Sequence, residues 1–361
     1  MRVIFDYQIF LKQEYGGPSR YFVELNKNLN NININSAIFA PIHANDFVSK
    51  KSFSIKLKKR KNFFINSILA KTNEYLTHYY LKDKKNLLIH PTYYNFDYLF
   101  SNKNKKVITV FDLIHEKFYS SERIKKYKDE KIRALKESDF IICISENTKK
   151  DLIEYYNVSD KKIKVIYLAG LIKQDKEFKI ENSSDKPYVL YVGNRHGYKN
   201  FEIILQAIKS NNEFKDNFQL FFFGGGSFSK NEIQMFKKYK FEIGEFKHIG
   251  SNEQILGSLY SKAFCLIYPS LYEGFGLPVL EAMENNCPVI CSNNSSLPEV
   301  GGDAVEYFDP KKKESLIQAL KNITLSNTNR ENMIKKGFLR SKMFSWKNTA
   351  FQTNEVYQSL L

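Results

Sequence analysis

Short, continuous apolar runs separated by longer segments of helical period recur along the chain, and the series occurs twice. Runs such as Val3-Ile4-Phe5 and Tyr188-Val-Leu-Tyr-Val192 do not alternate with polar residues. They suit strands buried on both faces, as in parallel sheets sandwiched between helices. The first series places strands at 2–5, 36–39, 86–90, 106–110, 140–144 and 164–167, with helices at 18–29, 62–81, 123–137 and 147–156. A polar stretch over 173–186 reads as a linker. The second series places strands at 188–192, 219–223, 247–249, 263–268, 289–291 and 305–308, with helices at 200–210, 232–239, 252–261, 278–285 and 313–323. The expected class is α/β, with two doubly wound parallel-sheet domains over residues 1–172 and 187–344. Ligands of such sheets bind beyond the carboxyl ends of the strands, so two facing sheets would enclose a cleft.

Composition narrows the function. A chain of 361 residues suits two domains, and 43% hydrophobic with 15% aromatic residues excludes a disordered chain. The net charge of +16 invites nucleic acid, an anionic membrane face or phosphorylated substrates. The joint abundance of Lys, Asn, Ile, Phe and Tyr reads equally well as a chain-wide drift. No apolar run has the length of a membrane span. Met1-Arg2 leads into a short apolar run that ends at Asp6, which suits a strand and not a signal peptide. Cys143, Cys265, Cys287 and Cys291 lie in or beside apolar runs without zinc spacing, so reduced thiols and a cytoplasmic protein are expected.

Four loops carry candidate chemistry. Tyr268-Pro-Ser-Leu-Tyr-Glu-Gly-Phe-Gly-Leu-Pro-Val-Leu-Glu281 runs from a strand end into a helix with Pro278 in its first turn. The N–H groups of Gly276 and Leu277 can face a phosphate or sugar oxygen there. Glu273 and Glu281 can accept hydrogen bonds from a polyol. Packing by Tyr272 and Phe275, with Glu281 solvated, suits that spacing equally well. In Gly193-Asn-Arg195-His-Gly-Tyr-Lys199, two cations stand beside a helix start and form an anion site, unless both are ordinary surface charges. Tyr15-Gly-Gly-Pro-Ser-Arg20 allows a backbone to approach a ligand closely. Asp112 and His115 follow the strand end at Val110, and Gly224-Gly-Gly226 reads as a tight turn.

Glu273 to Glu281 fits the E-x7-E pattern of the retaining family 4 glycosyltransferases, and the chain resembles that family along nearly its whole length. Gly16-Gly17, Thr109-Val-Phe-Asp112, Ile144-Ser-Glu-Asn-Thr148, Gly193-Asn194-Arg195 with Lys199-Asn200, and Ser295-Ser-Leu-Pro-Glu-Val-Gly301 stand in the family order. The resemblance implies a GT-B fold, with the final helix, about 345–361, crossing back onto the first domain. The first domain would take the acceptor and the second a nucleotide sugar. By the same resemblance Arg195 and Lys199 would hold the diphosphate, and Asn194 would belong to the donor site. Glu281 would bind the ribose. Glu273 with the backbone of Gly274, Phe275 and Gly276 would hold the sugar, Leu277 would belong to the donor site, and Gly17 would approach the diphosphate. Many relatives carry His just before the aspartate matched by Asp112; here Phe111 stands there, so His115 or Asp112 takes that contact or the donor differs. No Asp-x-Asp occurs, and neither a metal nor another cofactor is expected.

The expected reaction is transfer of a hexose from a GDP- or UDP-sugar to a glycan, the expected acceptor being a lipid-linked intermediate of surface polysaccharide or lipopolysaccharide O-antigen. Lys50, Lys51, Lys56, Lys58, Lys59, Arg60 and Lys61 precede the apolar Phe63-Phe-Ile65 and Ile68-Leu69, which suits peripheral docking on an anionic membrane. A solvated loop before a core-packing helix is the competing reading. The other functions weighed are a GT-B nucleotide-sugar isomerase and a basic nucleic-acid-binding protein. The last lacks a recognition helix or a stacking platform, so no nucleic-acid partner is expected.

Overall fold

The computed structural model describes residues 2–48, 54–58, 62–99, 103–170, 186–242, 244–250 and 253–361. The expected linker, apart from Lys186, lies outside those residues. The chain divides into two compact units, Met1–Leu168 with Ser345–Leu361, and Ala169–Phe344.

The first unit contains β1 (Arg2–Phe5), β2 (Ser36–Ile38), β3 (Ile42–His43), β4 (Ile55–Lys56), β5 (Leu87–His90), β6 (Lys105–Val110), β7 (Phe140–Cys143) and β8 (Ile163–Val165). Six of these form one parallel sheet in the order β2-β1-β5-β6-β7-β8, and β3 pairs with β4. Every residue of β5 is buried, as its unbroken Leu-Leu-Ile-His run requires. The second unit contains β9 (Tyr188–Val192), β10 (Gln219–Phe223), β11 (Phe246–Gly250), β12 (Cys265–Tyr268), β13 (Val289–Ser292) and β14 (Glu306–Phe308). Its parallel order is β11-β10-β9-β12-β13-β14. That is the 3-2-1-4-5-6 order of a dinucleotide-type sheet, which reverses direction between its first and fourth strands. The crevice of this unit therefore opens beyond the carboxyl ends of β9 and β12.

The helix Trp346–Gln358 belongs to the first unit and packs on the helix Gly17–Asn31. It starts at Ser345, whose side chain accepts the N–H of Asn348 at 3.2 Å. Its face Ala350, Thr353, Val356 and Tyr357 is buried. The Tyr357 hydroxyl lies 2.6 Å from Nδ1 of His90 at the end of β5, and Nε2 of His90 lies 2.9 Å from the Thr109 hydroxyl. His90 is fully buried, and burial pushes its pKa down to about 3, so it stays neutral.

Most elements lie within a residue or two of expectation. The strand expected at 164–167 is instead Ile163–Val165, and the helix expected from residue 252 has a 3-10 turn, Glu253–Ile255, before the α-helix Leu256–Lys262. The helix Asn327–Ser341 was not expected. Its sequence is polar and only Gly337 and Ser341 are fully buried, so it shows little apolar period. Gly337 instead lets this helix approach Met283 closely; a Cβ there would stand 3.1 Å from the Met283 side chain.

His90 makes the first unit acid-sensitive. Its folded pKa is depressed, so the unfolded chain binds the proton first. Stability from this group is complete above its ordinary value of 6.5 and is lost as pH falls from there toward 3. The melting temperature should drop over that window, and His90→Gln should flatten the drop. Tyr357→Phe leaves His90 Nδ1 without its partner and should cost about 1–3 kcal/mol by denaturant unfolding.

Candidate functional site

Two loops meet at the switch point of the second unit. The first follows β9 and includes Gly193 and Gly197, both in the left-handed region, before the 3-10 turn Gly197–Lys199. The second follows β12 and ends at Gly276, which opens the helix Leu277–Glu284. Backbone and side chain tie them together. The N–H of Leu271 donates to the carbonyl of Tyr198 at 2.7 Å, and the Asn200 side chain donates to Pro269 O at 3.2 Å and Pro310 O at 2.8 Å.

Across this junction Lys199 Nζ donates to Glu273 Oε1 at 2.6 Å and to the Tyr268 hydroxyl at 3.1 Å. Burial lowers the Lys199 pKa, but the Glu273 charge and hydrogen bond together with Tyr198 and Tyr191 outweigh it and the net shift is upward, so the ammonium stays charged. Glu281 lies one turn inside the helix and is buried, receiving the Tyr260 hydroxyl at 3.2 Å. The solvated placement weighed for Glu281 is therefore not what the fold adopts. Gly276 has φ +112°, and a Cβ there would meet the Leu297 side chain at 2.7 Å. A glycine is needed for both reasons.

A third loop, after β13, clamps the Glu273 segment. The N–H of Glu273 donates to the Ser295 hydroxyl at 3.0 Å. The Ser296 hydroxyl lies 2.9 Å from Glu273 O and 2.8 Å from Phe275 O. The Asn294 side chain donates to Leu271 O at 2.8 Å. Sequence alone assigns Ser295 and Ser296 no role; the adjacency of β12 and β13 supplies one.

Arg195 stands apart from the surface-cation and open-anion readings alike. Its side chain is only 1% exposed, against 15% for Lys199. Nε donates to Glu232 at 2.7 Å, and the two terminal nitrogens donate to Gly224 O at 2.8 Å and Gly226 O at 2.7 Å. Gly224, Gly225 and Gly226 all have positive φ, and a Cβ on Gly225 would come within 2.9 Å of the guanidinium. The triple glycine is thus a turn folded around Arg195. In this arrangement Lys199 is the cation an anion can reach without displacing that turn. Asn194 is exposed, and its carbonyl accepts the Tyr191 hydroxyl.

The other candidates belong to the first unit. Gly17 is exposed at the start of its helix, with Pro18 in the first turn. Asp112 follows β6 and accepts the N–H of Ile114 at 3.0 Å. Burial pushes its carboxyl pKa up, against the pull of the Lys131 charge. The buried Lys131 ammonium donates to Asp112 O at 3.1 Å and Glu116 Oε1 at 2.9 Å, and so fixes this loop. His115 stacks on Tyr127 at 4.4 Å, and its Nδ1 has no hydrogen-bond partner among the described residues. Phe111 packs edge-on to Tyr21 and Phe22, an aromatic surrounding that accounts for an apolar ring at this place. Sequence gave no hint of Lys131, which sits in a helix that reads as polar.

Residues 172–340 match the family described as glycosyl transferases group 1. The O-antigen chain mannosyltransferase B of Escherichia coli is 26% identical over 295 residues, covering 78% of this chain and 76% of that protein. The O-antigen chain mannosyltransferase RfbU of Salmonella typhimurium is 32% identical over 193 residues, so the match spans about half of either protein, 53% of this chain and 52% of that one. Among solved structures, HepE from Anabaena in complex with UDP-glucose superposes with a TM-score of 0.74 over 99% of this chain and all of that one, at 14% identity. The fold is GT-B, and residues 172–340, most of the second unit, are similar to the group 1 glycosyltransferases.

Proposed function

We propose that the protein transfers a hexose from a nucleotide diphosphate sugar to a glycan acceptor with retention of configuration. The relatives' names point to mannose as the sugar and to O-antigen as the product. A lipid-linked intermediate serves as acceptor, and the donor is GDP- or UDP-linked. The observation that carries this reading is the Lys199–Glu273 pair, held at the switch point beside the helix N-terminus at Gly276.

A diphosphate arriving there competes with Glu273 for the Lys199 ammonium. Once displaced, Glu273 is free to accept hydroxyls of the donor sugar, and Glu281 those of the ribose. The bond from the sugar's anomeric carbon to the phosphate oxygen breaks as the acceptor oxygen bonds to that carbon from the same face. The acceptor proton passes to the departing diphosphate. Lys199 and the N–H groups around Gly276 and Leu277 oppose the growing phosphate charge, with Arg195 and its glycine turn behind them. Fixed donors of this kind stabilise a leaving diphosphate without a protein-held metal. Gly17 would approach the diphosphate, and Asp112 and His115 would contact the donor sugar or the acceptor.

Peripheral contact with an anionic membrane fits the same function. Lys56 and Lys58 precede the helix Phe63–Leu81, which exposes Phe64 and Ile68. Lys50, Lys51, Lys59, Arg60 and Lys61 lie outside the described residues. No helix among the described residues is long and apolar enough to cross a membrane.

Thermal melting with UDP, GDP, ADP, CDP and TDP in the presence of EDTA tests the donor site. A nucleotide at 100 times its Kd should stabilise the fold by about 2.7 kcal/mol, and Glu281→Ala should lose the shift. No shift with any nucleotide would contradict the site. Glu273→Gln should keep the nucleotide shift and lower transfer about 10²–10³-fold, on the scale of one lost transition-state contact; transfer at the wild-type rate would refute its role. Liposomes of anionic lipid should retain the protein at low salt and release it as salt rises; indifference to them at low salt would remove the membrane contact.

A further inference from the structure

The first unit carries a cavity of about 940 Å³ that the transfer chemistry does not use. It lies along the outer side of β2, the edge strand of the sheet, between the helices Gly17–Asn31 and Phe63–Leu81. Its volume is at the upper end of small-ligand sites, about 300–1,000 Å³. Its walls are apolar: Val23, Ile38, Phe39, Phe47, Leu76 and Tyr79. Phe39 stacks on Tyr80 with ring centres 4.0 Å apart, which fixes one wall. Ala37, Ile38 and Phe39 stay only half-buried on an open edge, where a strand ordinarily carries charge or proline.

Two further features narrow the occupant. The charged lining residues among those described are Arg2, Lys27 and Lys84, three exposed cations with no acid. Lys84 Nζ is held 3.4 Å over the Tyr80 ring, at the cavity. The helix Phe63–Leu81 also shows an apolar stripe to solvent at Phe64, Ile68, Tyr75 and Tyr79, at the spacing of one helix face. Tyr79 belongs both to that stripe and to the cavity wall. Hydrocarbon walls with a purely cationic rim suit an amphiphile that has an apolar chain and an anionic head. The slot is half open and runs between one helix and an edge strand, which suits one chain rather than two.

We infer that this cavity binds the single hydrocarbon chain of a polyprenyl phosphate, with Arg2, Lys27 and Lys84 meeting its phosphate end. The choice of a prenyl phosphate over other single-chain anionic lipids rests on the lipid-linked acceptor proposed above. The site would hold the carrier lipid by its chain, separately from the sugar that receives the transfer.

Calorimetric titration of the full chain with farnesyl phosphate, below its micelle concentration, tests this. Saturable binding at one site is expected, with farnesol and inorganic phosphate each at least tenfold weaker. Lys27→Glu with Lys84→Glu, both on the surface, should weaken farnesyl phosphate at least tenfold. Ala37→Trp, which fills the cavity, should abolish binding while the nucleotide-dependent melting shift persists as proof of folding. Equal binding by these variants, or binding only to phosphatidylglycerol vesicles and not to farnesyl phosphate, would overturn the inference. Loss of the nucleotide shift in wild type, with farnesyl phosphate still bound, would instead refute the donor site and leave the cavity standing.

Discussion

Lys199 and Glu273 are 74 residues apart in the chain and 2.6 Å apart in space. They meet because β9 and β12 are neighbours in a sheet whose order reverses between them. A parallel strand buried on both faces offers solvent nothing but its ends. Polar chemistry is therefore forced into the loops at the carboxyl edge, and the reversal is where two such loops can separate to form a crevice. Breaking a buried pair by removing one partner costs about 3–5 kcal/mol, because the other charge is left uncompensated. On the proposed reading, an incoming diphosphate would avoid that cost by replacing one anion with another. Recognition of phosphate and release of Glu273 would then be one event.

The surrounding structure serves to hold this pair in place. Ser295, Ser296 and Asn294 satisfy the polar groups of the Glu273 loop, so that it needs no secondary structure of its own. The glycine turn around Arg195 does the same for the loop after β9: a guanidinium fills carbonyls that would otherwise face one another. These are hydrogen bonds to a charged donor, the stronger kind, and they fix the ends of β9 and β10 together. Gly276 then sets the direction in which the helix N-terminus faces.

Much of this was legible in the sequence. Unbroken apolar runs such as Phe221-Phe-Phe223 can only be strands covered on both sides, and that reading located every strand of both large sheets to within a few residues. The E-x7-E spacing located Glu273 and Glu281. Contacts that depend on strand order were not legible. The Ser296 clamp exists because β13 lies beside β12, and Lys131 reaches Asp112 because its helix packs under β6. No local pattern marks either. The helix Asn327–Ser341 was missed for a related reason, since it docks through a glycine rather than an apolar stripe.

The central claim is that a nucleotide diphosphate binds at the Lys199–Glu273 pair. A crystal structure of the protein soaked with its stabilising nucleoside diphosphate tests it most directly. The account predicts a phosphate oxygen within hydrogen-bond distance of Lys199 Nζ, the ribose at Glu281, and Glu273 turned away from Lys199. A nucleotide bound elsewhere, with the Lys199–Glu273 bond intact, would contradict it.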